Sequence, residues 1–248
     1  EFINMEVSAG RLDEAKQHLQ KLLKADVDHP SANRLLGLVY FKEKDLENAE
    51  RVFSRQAEIS PNNAESYSQL AQTRIAADNL TGAAEVFEAG LKVLPEDTSL
   101  LIGLAGVRER QRNYEAAISL YDEILQRQPE NAISINNIAA LLADHRDDQA
   151  SLDRAAAYAV KLEKTSQNAF RDTAGWIYYR NGDYSRAAEI LKDVVGKAPQ
   201  VPVFQYHLGM TYLKLGDKVA ASEHLTRATD GDFVYEGIEE ARAALKDL

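Results

Sequence analysis

The chain of 248 residues is 45% hydrophobic and 27% charged, which argues against intrinsic disorder, and its net charge of −10 opposes phosphate backbones and anionic lipid surfaces. No stretch approaches the ~20 apolar residues that cross a bilayer, so neither nucleic-acid binding nor direct membrane insertion is expected. There is no cysteine, which excludes disulfides, thiolate zinc sites and a cysteine nucleophile, and leaves the redox compartment open.

The sequence opens EFINMEVSAGRLDEA, with its first Met at position 5, and reads as a piece of a longer protein. Residues 1–29 read as the remainder of a repeat unit, mainly its second helix, with Ala15, Leu19 and Leu22 on one stripe. A period then takes over. Pro61, Pro95 and Pro129 lie 34 residues apart, and units start at Pro30, Ala64, Thr98, Ala132, Asn168 and Pro202, filling residues 30–235. The eighth residue of each unit is Gly37, Ala71, Ala105, Ala139, Gly175 or Gly209; the twentieth is Ala49, Ala83, Ala117, Ala155, Ala187 or Ala221. Small residues at matched places let two helix axes approach closely. Large apolar residues surround them at three- and four-residue intervals, such as Leu36, Tyr40 and Phe53 in the first unit.

Turn chemistry divides each unit into two helices. Gly182 and Gly216 suit a left-handed helix end, and Asn79 and Asn113 are the next-best residues for it. Proline closes the second helix, because it cannot continue the hydrogen-bond ladder. The fourth unit departs from the pattern: its turn ADHRDDQASLD is four residues longer and should bulge, and EKTSQNAF lacks the closing proline. Residues 236–248, EGIEEARAALKDL, read as a terminal cap with Ile238, Ala241 and Leu245 facing the array and charges facing water.

RLLGLVY…A…F…P over residues 34–61, and YHLGMTYLKLGD near the end, resemble the tetratricopeptide repeat, with its W-x2-L-G-x2-Y, A-x3-F and P signature. The resemblance implies an all-α, right-handed α-solenoid of antiparallel helix pairs. It also implies a concave groove lined by the second, fifth, ninth, twelfth and thirteenth places of each unit, which bind a protein or peptide partner. Those places hold Arg34, Phe41, Lys42, Ser68, Gln72, Glu109 and Arg110 in the N-terminal units, then Asn136 and Asp144 in the middle. The last two units place Asp172, Trp176, Tyr179, Arg180, Tyr206, Met210 and Lys214 there, so the groove turns from polar to aromatic with basic edges. The two-carboxylate clamp of chaperone-tail co-receptors is missing: the nearest match sets Asn136 and Asn137 beside Ala169 and Thr173.

Tyr178 recurs at the same place as Tyr40 and Tyr212 and reads as packing, whereas Trp176 is the only tryptophan. Trp176 is either a binding hot spot or is covered by a neighbour such as Tyr206. The five histidines form no metal pair, the loop from Asp144 to Asp148 reads as a solvated turn, and no phosphate-binding or nucleophile motif occurs. No catalysis, cofactor or metal is expected. The sequence therefore reads as a non-catalytic interaction scaffold. The last two units resemble those of bacterial envelope proteins serving exopolysaccharide export or protein sorting, which favours the envelope over the cytoplasm. An alternative is a regulatory arm beside a catalytic domain outside this chain; direct carbohydrate binding ranks third.

Overall fold

The computed structural model describes residues 2–146 and 148–248. They form fifteen helices, with no strand among the described residues: α1 (Phe2–Ser8), α2 (Leu12–Ala25), α3 (Pro30–Lys42), α4 (Leu46–Ile59), α5 (Ala64–Ala76), α6 (Leu80–Val93), α7 (Thr98–Arg110) and α8 (Tyr114–Arg127) come first. Then follow α9 (Ala132–His145), α10 (Gln149–Leu162), α11 (Asn168–Arg180), α12 (Tyr184–Lys197), α13 (Pro202–Leu215), α14 (Lys218–Thr229) and α15 (Ile238–Lys246). The chain divides into two compact units, one ending at Ile124 and the other beginning at Leu125. In each, helices consecutive in sequence pack as antiparallel pairs, and first helices of successive pairs also touch: α5 with α7 in unit 1, and α9 with α11, α11 with α13 and α13 with α15 in unit 2. Within each unit these first helices share one face, the inner face of the groove that the resemblance implies.

The small places work as helix contacts. A Cβ built on Gly37 would lie 2.4 Å from the Phe53 ring, one on Gly175 would lie 2.6 Å from Leu191 Cγ, and one on Gly209 would lie 2.8 Å from Leu225 Cγ. The eighth place thus receives the twenty-fourth, and Ala49, Ala83, Ala117, Ala155, Ala187 and Ala221 are all fully buried between helices. The prolines stand just past helix ends, Pro61 after α4, Pro95 after α6, Pro129 after α8 and Pro199 after α12.

The turns differ from expectation by one residue. The left-handed positions are Lys44 (φ 61°), Asp78 (φ 58°) and Arg112 (φ 58°), matching Gly182 and Gly216 (both φ 81°). Asn79 instead caps α6 by accepting from Gly82 N–H at 2.8 Å, and Asn113 accepts from Ala116 N–H at 3.3 Å. Asp45, Asp183 and Asp217 cap their helices at the equivalent place. Such a cap contributes about 1 kcal/mol, which offsets the ~1 kcal/mol of strain from a non-glycine in the preceding left-handed slot.

The four extra residues of the fourth unit also settle differently. Rather than bulging the turn, they shift the helix ends: α9 is one residue longer than α3, α5, α7 and α11, running on to His145, while α10 keeps fourteen residues but is shifted three residues earlier relative to Ala155, starting at Gln149 with Asp148 as its cap. Asp147 lies outside the described residues. At the N-terminal end α1 supplies only seven residues, and Leu22 is 43% exposed while Ile124, Leu162, Val194 and Ala228 at the same repeat place are at most 1% exposed.

Candidate functional site

On α11, Asp172, Trp176 and Tyr179 are spaced by four and three residues and share one helix face; Tyr206 and Met210 of α13 meet them from the next pair. The structure brings these five together, but as core. Their exposures run from 2% for Tyr206 to 8% for Tyr179. Of the two readings of Trp176, the burial matches the covered one: these side chains spend their surface on one another. The indole of Trp176 is sandwiched between Tyr179, at 4.5 Å between centroids and 12° between planes, and His207, at 4.3 Å and 20°. Tyr206 tilts against it at 5.4 Å, and the indole Nε1–H donates to Asp144 Oδ1 at 2.7 Å.

The start of α15 completes the cover. Tyr206 Oη donates to Glu240 Oε2 at 2.6 Å, and the Tyr206 ring lies so close to Gly237 that a Cβ there would sit 2.4 Å from it. Behind the indole, His207 Nδ1 and Asp172 Oδ2 are 2.8 Å apart. Burial pushes the Tyr179 hydroxyl up to about 12, with the Glu240 carboxylate adding to the shift. The Tyr206 hydroxyl is pushed up too, first by burial and then by its hydrogen bond to Glu240. Both therefore act as neutral phenols at any physiological pH.

What stays open in unit 2 is modest. A cleft of about 270 Å³ lies between Asp144, Arg180, His207, Glu236 and Glu240, with Trp176 and Tyr206 at its wall. Lys214 is exposed, Arg180 half-buried, and Asn136, also half-buried, donates its Nδ2–H to Asn137 Oδ1 at 3.1 Å. Sequence reasoning passed over His207, whose role depends entirely on leaning across to Trp176. Asp144 of the acidic loop is taken up by the indole and Asp148 by its helix cap. Among the described residues no group of three or more His, Asp or Glu is placed to hold a metal ion.

Unit 1 presents the opposite surface at the same repeat places. Gln72 of α5 is exposed, and a Cβ on Gly106 of α7 would meet nothing within 4 Å. Around them Leu38, Phe41, Ile75 and Ile102 are half-buried, so an apolar floor reaches solvent. Lys42 and Arg110 are exposed at the edge, while Arg34 lies 3.6 Å from Glu65 and Glu109 accepts from Tyr121 Oη at 2.6 Å. Of the sequence candidates, Arg34, Lys42, Gln72 and Arg110 thus share one open face. Leu38, Ile75, Ile102 and Gly106 were missed, although the same places read in every unit mark them.

Comparison with known proteins agrees with this geometry. A family model described as tetratricopeptide repeat matches residues 4–64 and 68–132, and a second model of the same description matches residues 178–234. A TPR repeat-containing protein of Pseudomonas aeruginosa is 26% identical over 203 residues, covering 82% of this chain and 28% of that protein. Tetratricopeptide repeat protein 8 of Caenorhabditis elegans is 29% identical over 75 residues, covering 30% of this chain and 15% of that one. The chain thus spans less than a third of the curated relatives it matches. Among solved structures, a tetratricopeptide repeat protein from Parabacteroides merdae superimposes with a TM-score of 0.73 at 17% identity, covering 99% of this chain and 96% of that one. The PilF protein of P. aeruginosa gives 0.65 at 19% identity, covering 85% and 96%.

Proposed function

We infer that this chain, which belongs to the tetratricopeptide-repeat family, binds an extended segment of a partner protein on the inner face of unit 1. Repeats of this family are generally non-catalytic protein–protein interaction scaffolds, and stacked helix pairs offer such segments a long surface. The observation that carries the assignment is the ninth repeat place. In unit 1 it is Leu38, Gln72 and Gly106, half-buried, exposed and open; in the last two pairs of unit 2 it is Trp176 and Met210, both buried. A partner segment can desolvate the apolar floor of unit 1, while its polar groups meet Arg34, Lys42, Gln72 and Arg110. Unit 2 has already buried its equivalent.

The resemblance of the last two repeats to envelope proteins supports a partner within an envelope assembly. Fractionation of cells carrying the whole protein tests that placement, and recovery in the cytoplasm alone would reject it. The binding face is tested by a photo-crosslinking amino acid at Gln72, with Glu189 as an exposed comparison site. Discrete adducts from position 72, lost when Gly106→Trp fills the open floor and helix content is unchanged, are expected. Adducts that survive Gly106→Trp, or form equally from position 189, would move the site elsewhere.

A further inference from the structure

The cleft between α2 and α4, on a different face of α3 from the proposed groove, is distinct in shape and charge. Its floor is Leu36 and Tyr40 of α3 with Val52 of α4, its far wall Leu23 and Val27, and its volume about 550 Å³. One residue shapes its floor. At the fourth repeat place, where other units have Tyr67, Leu101, Ile135, Arg171 or Gln205, the first has Asn33. Asn33 turns back to the chain, donating its Nδ2–H to Val27 O at 2.9 Å and His29 O at 3.2 Å, and leaves the space empty. One repeat later Tyr67 fills that place and packs on Gly90. Lys16, gripped by both Glu43 oxygens at 2.7 Å, sits 5.5 Å from the centroid of the Tyr40 ring and holds it in place.

The rim carries Lys24, Arg51 and Arg55. At the next junction the same three repeat places are Glu58, Glu85 and Ala89, and at every later junction they include no more than one cation. The cleft lined by Lys164, Arg171 and Arg186 also carries Glu163, Glu189 and Asp193, whereas the lining here has three cations and no acid, on a chain of net charge −10. Arg55 is held by Asp28 and Glu58 at 2.6 and 2.9 Å. Arg51 donates to Asn48 Oδ1 at 3.1 Å and feels the Asp45 carboxylate without an ion pair, and Lys24 forms no ion pair among the described residues. Val27, in the wall, is 66% exposed.

We propose that this cleft is a second docking site, which takes an acidic protein segment that inserts one large apolar side chain between α2 and α4. The apolar lining supplies the affinity, since Val27, Leu23 and Tyr40, which reach solvent, lose water when a side chain enters. The exposed charges of Lys24 and Arg51 select the flanking carboxylates and speed encounter. A bare anion would use the rim and leave the floor wet, so the occupant is a peptide segment rather than a phosphate or a lipid headgroup.

The test pans the full chain against a displayed library of random peptides and measures synthetic versions of the binders by fluorescence anisotropy. One class of binders should carry Asp or Glu around a Leu, Phe or Trp and weaken as salt is raised. Lys24→Glu with Arg51→Glu should weaken that class roughly tenfold or more, while Gly106→Trp leaves it unchanged. Both variants change exposed or open positions, and circular dichroism with Trp176 emission verifies that each folds. The proposal fails if no acidic binder depends on Lys24 and Arg51. It fails equally if polyphosphate or phosphatidylglycerol vesicles show that dependence and the peptides do not. Loss of every binder in Gly106→Trp alone would leave the inner-face site standing and remove this one.

Discussion

Replacing Trp176 separates a structural aromatic from a binding one. Trp176→Ala deletes a side chain that is 7% exposed and sandwiched between Tyr179 and His207. Large-to-small changes of this kind cost about 3–5 kcal/mol, of which the ring pairs account for about 0.5–1.5 kcal/mol each beyond their buried area. The hydrogen bond to Asp144 adds less. Asp144 is half-buried, so water replaces the indole N–H, and the net loss is about 1 kcal/mol. Trp176→Phe keeps a ring in the stack and removes the N–H, and should cost about 1–2 kcal/mol.

Urea unfolding followed by circular dichroism measures both, with midpoints converted through a common slope. In the wild type, Trp176 emission gives a second, local probe. Coincident emission and helicity transitions would establish that unit 2 unfolds cooperatively, which repeat arrays do not always do. The ranking is the test. If Trp176→Ala costs under about 1 kcal/mol but abolishes binding of a partner, the indole is a contact residue and the packed reading is wrong.

Three further outcomes are expected. Gly175→Ala should destabilise by up to about 2 kcal/mol, as overpacking against Leu191 exceeds the helix-propensity gain; in a Leu191→Ala background it should stabilise, and equal effects in both backgrounds would refute the contact. Burial holds the His224 imidazole below its ordinary value, so the unfolded chain takes up a proton that the folded chain refuses, and stability should fall as pH drops below about 6.5. His224→Gln should flatten that limb of the curve, and a parallel curve would reject the assignment. Lys44→Gly, at φ 61°, should raise the unfolding midpoint by about 1 kcal/mol in stability, and a lower midpoint would contradict the left-handed turn.

The repeat frame was legible because its small places answer a hard steric demand: Gly37, Gly175 and Gly209 each meet a side chain under 3 Å from where a Cβ would stand. The turns were legible only to within a residue. Asparagine suits both the left-handed slot and the helix cap that follows it, so Asn79 and Asn113 fit either, and the backbone chose the cap. Aligning them with Gly182-Asp183 and Gly216-Asp217 would have shown the register, since there the two roles fall to different residue types. The fourth-unit insertion was readable as length but not as a shifted helix start, because Asp148 and Ser151 are both good cap residues and only the backbone shows that Asp148 takes the role.

The site was legible as a set of faces, not as a surface. Periodicity places Trp176 on the inner side of α11, but whether that side is wet depends on what leans over it from α13 and α15. His207 and Gly237, 31 and 61 residues further along the chain, decide the matter. The same frame consequently builds two kinds of inner wall. Where the ninth place is glutamine or glycine, no side chain reaches across to the next pair and the floor stays open for a partner. Where it is tryptophan or methionine, the apolar side chain gains by packing on its neighbour, and the wall seals itself. The character of the residue at one repeat place, polar or absent in Gln72 and Gly106 and large and apolar in Trp176 and Met210, separates the open wall from the sealed one.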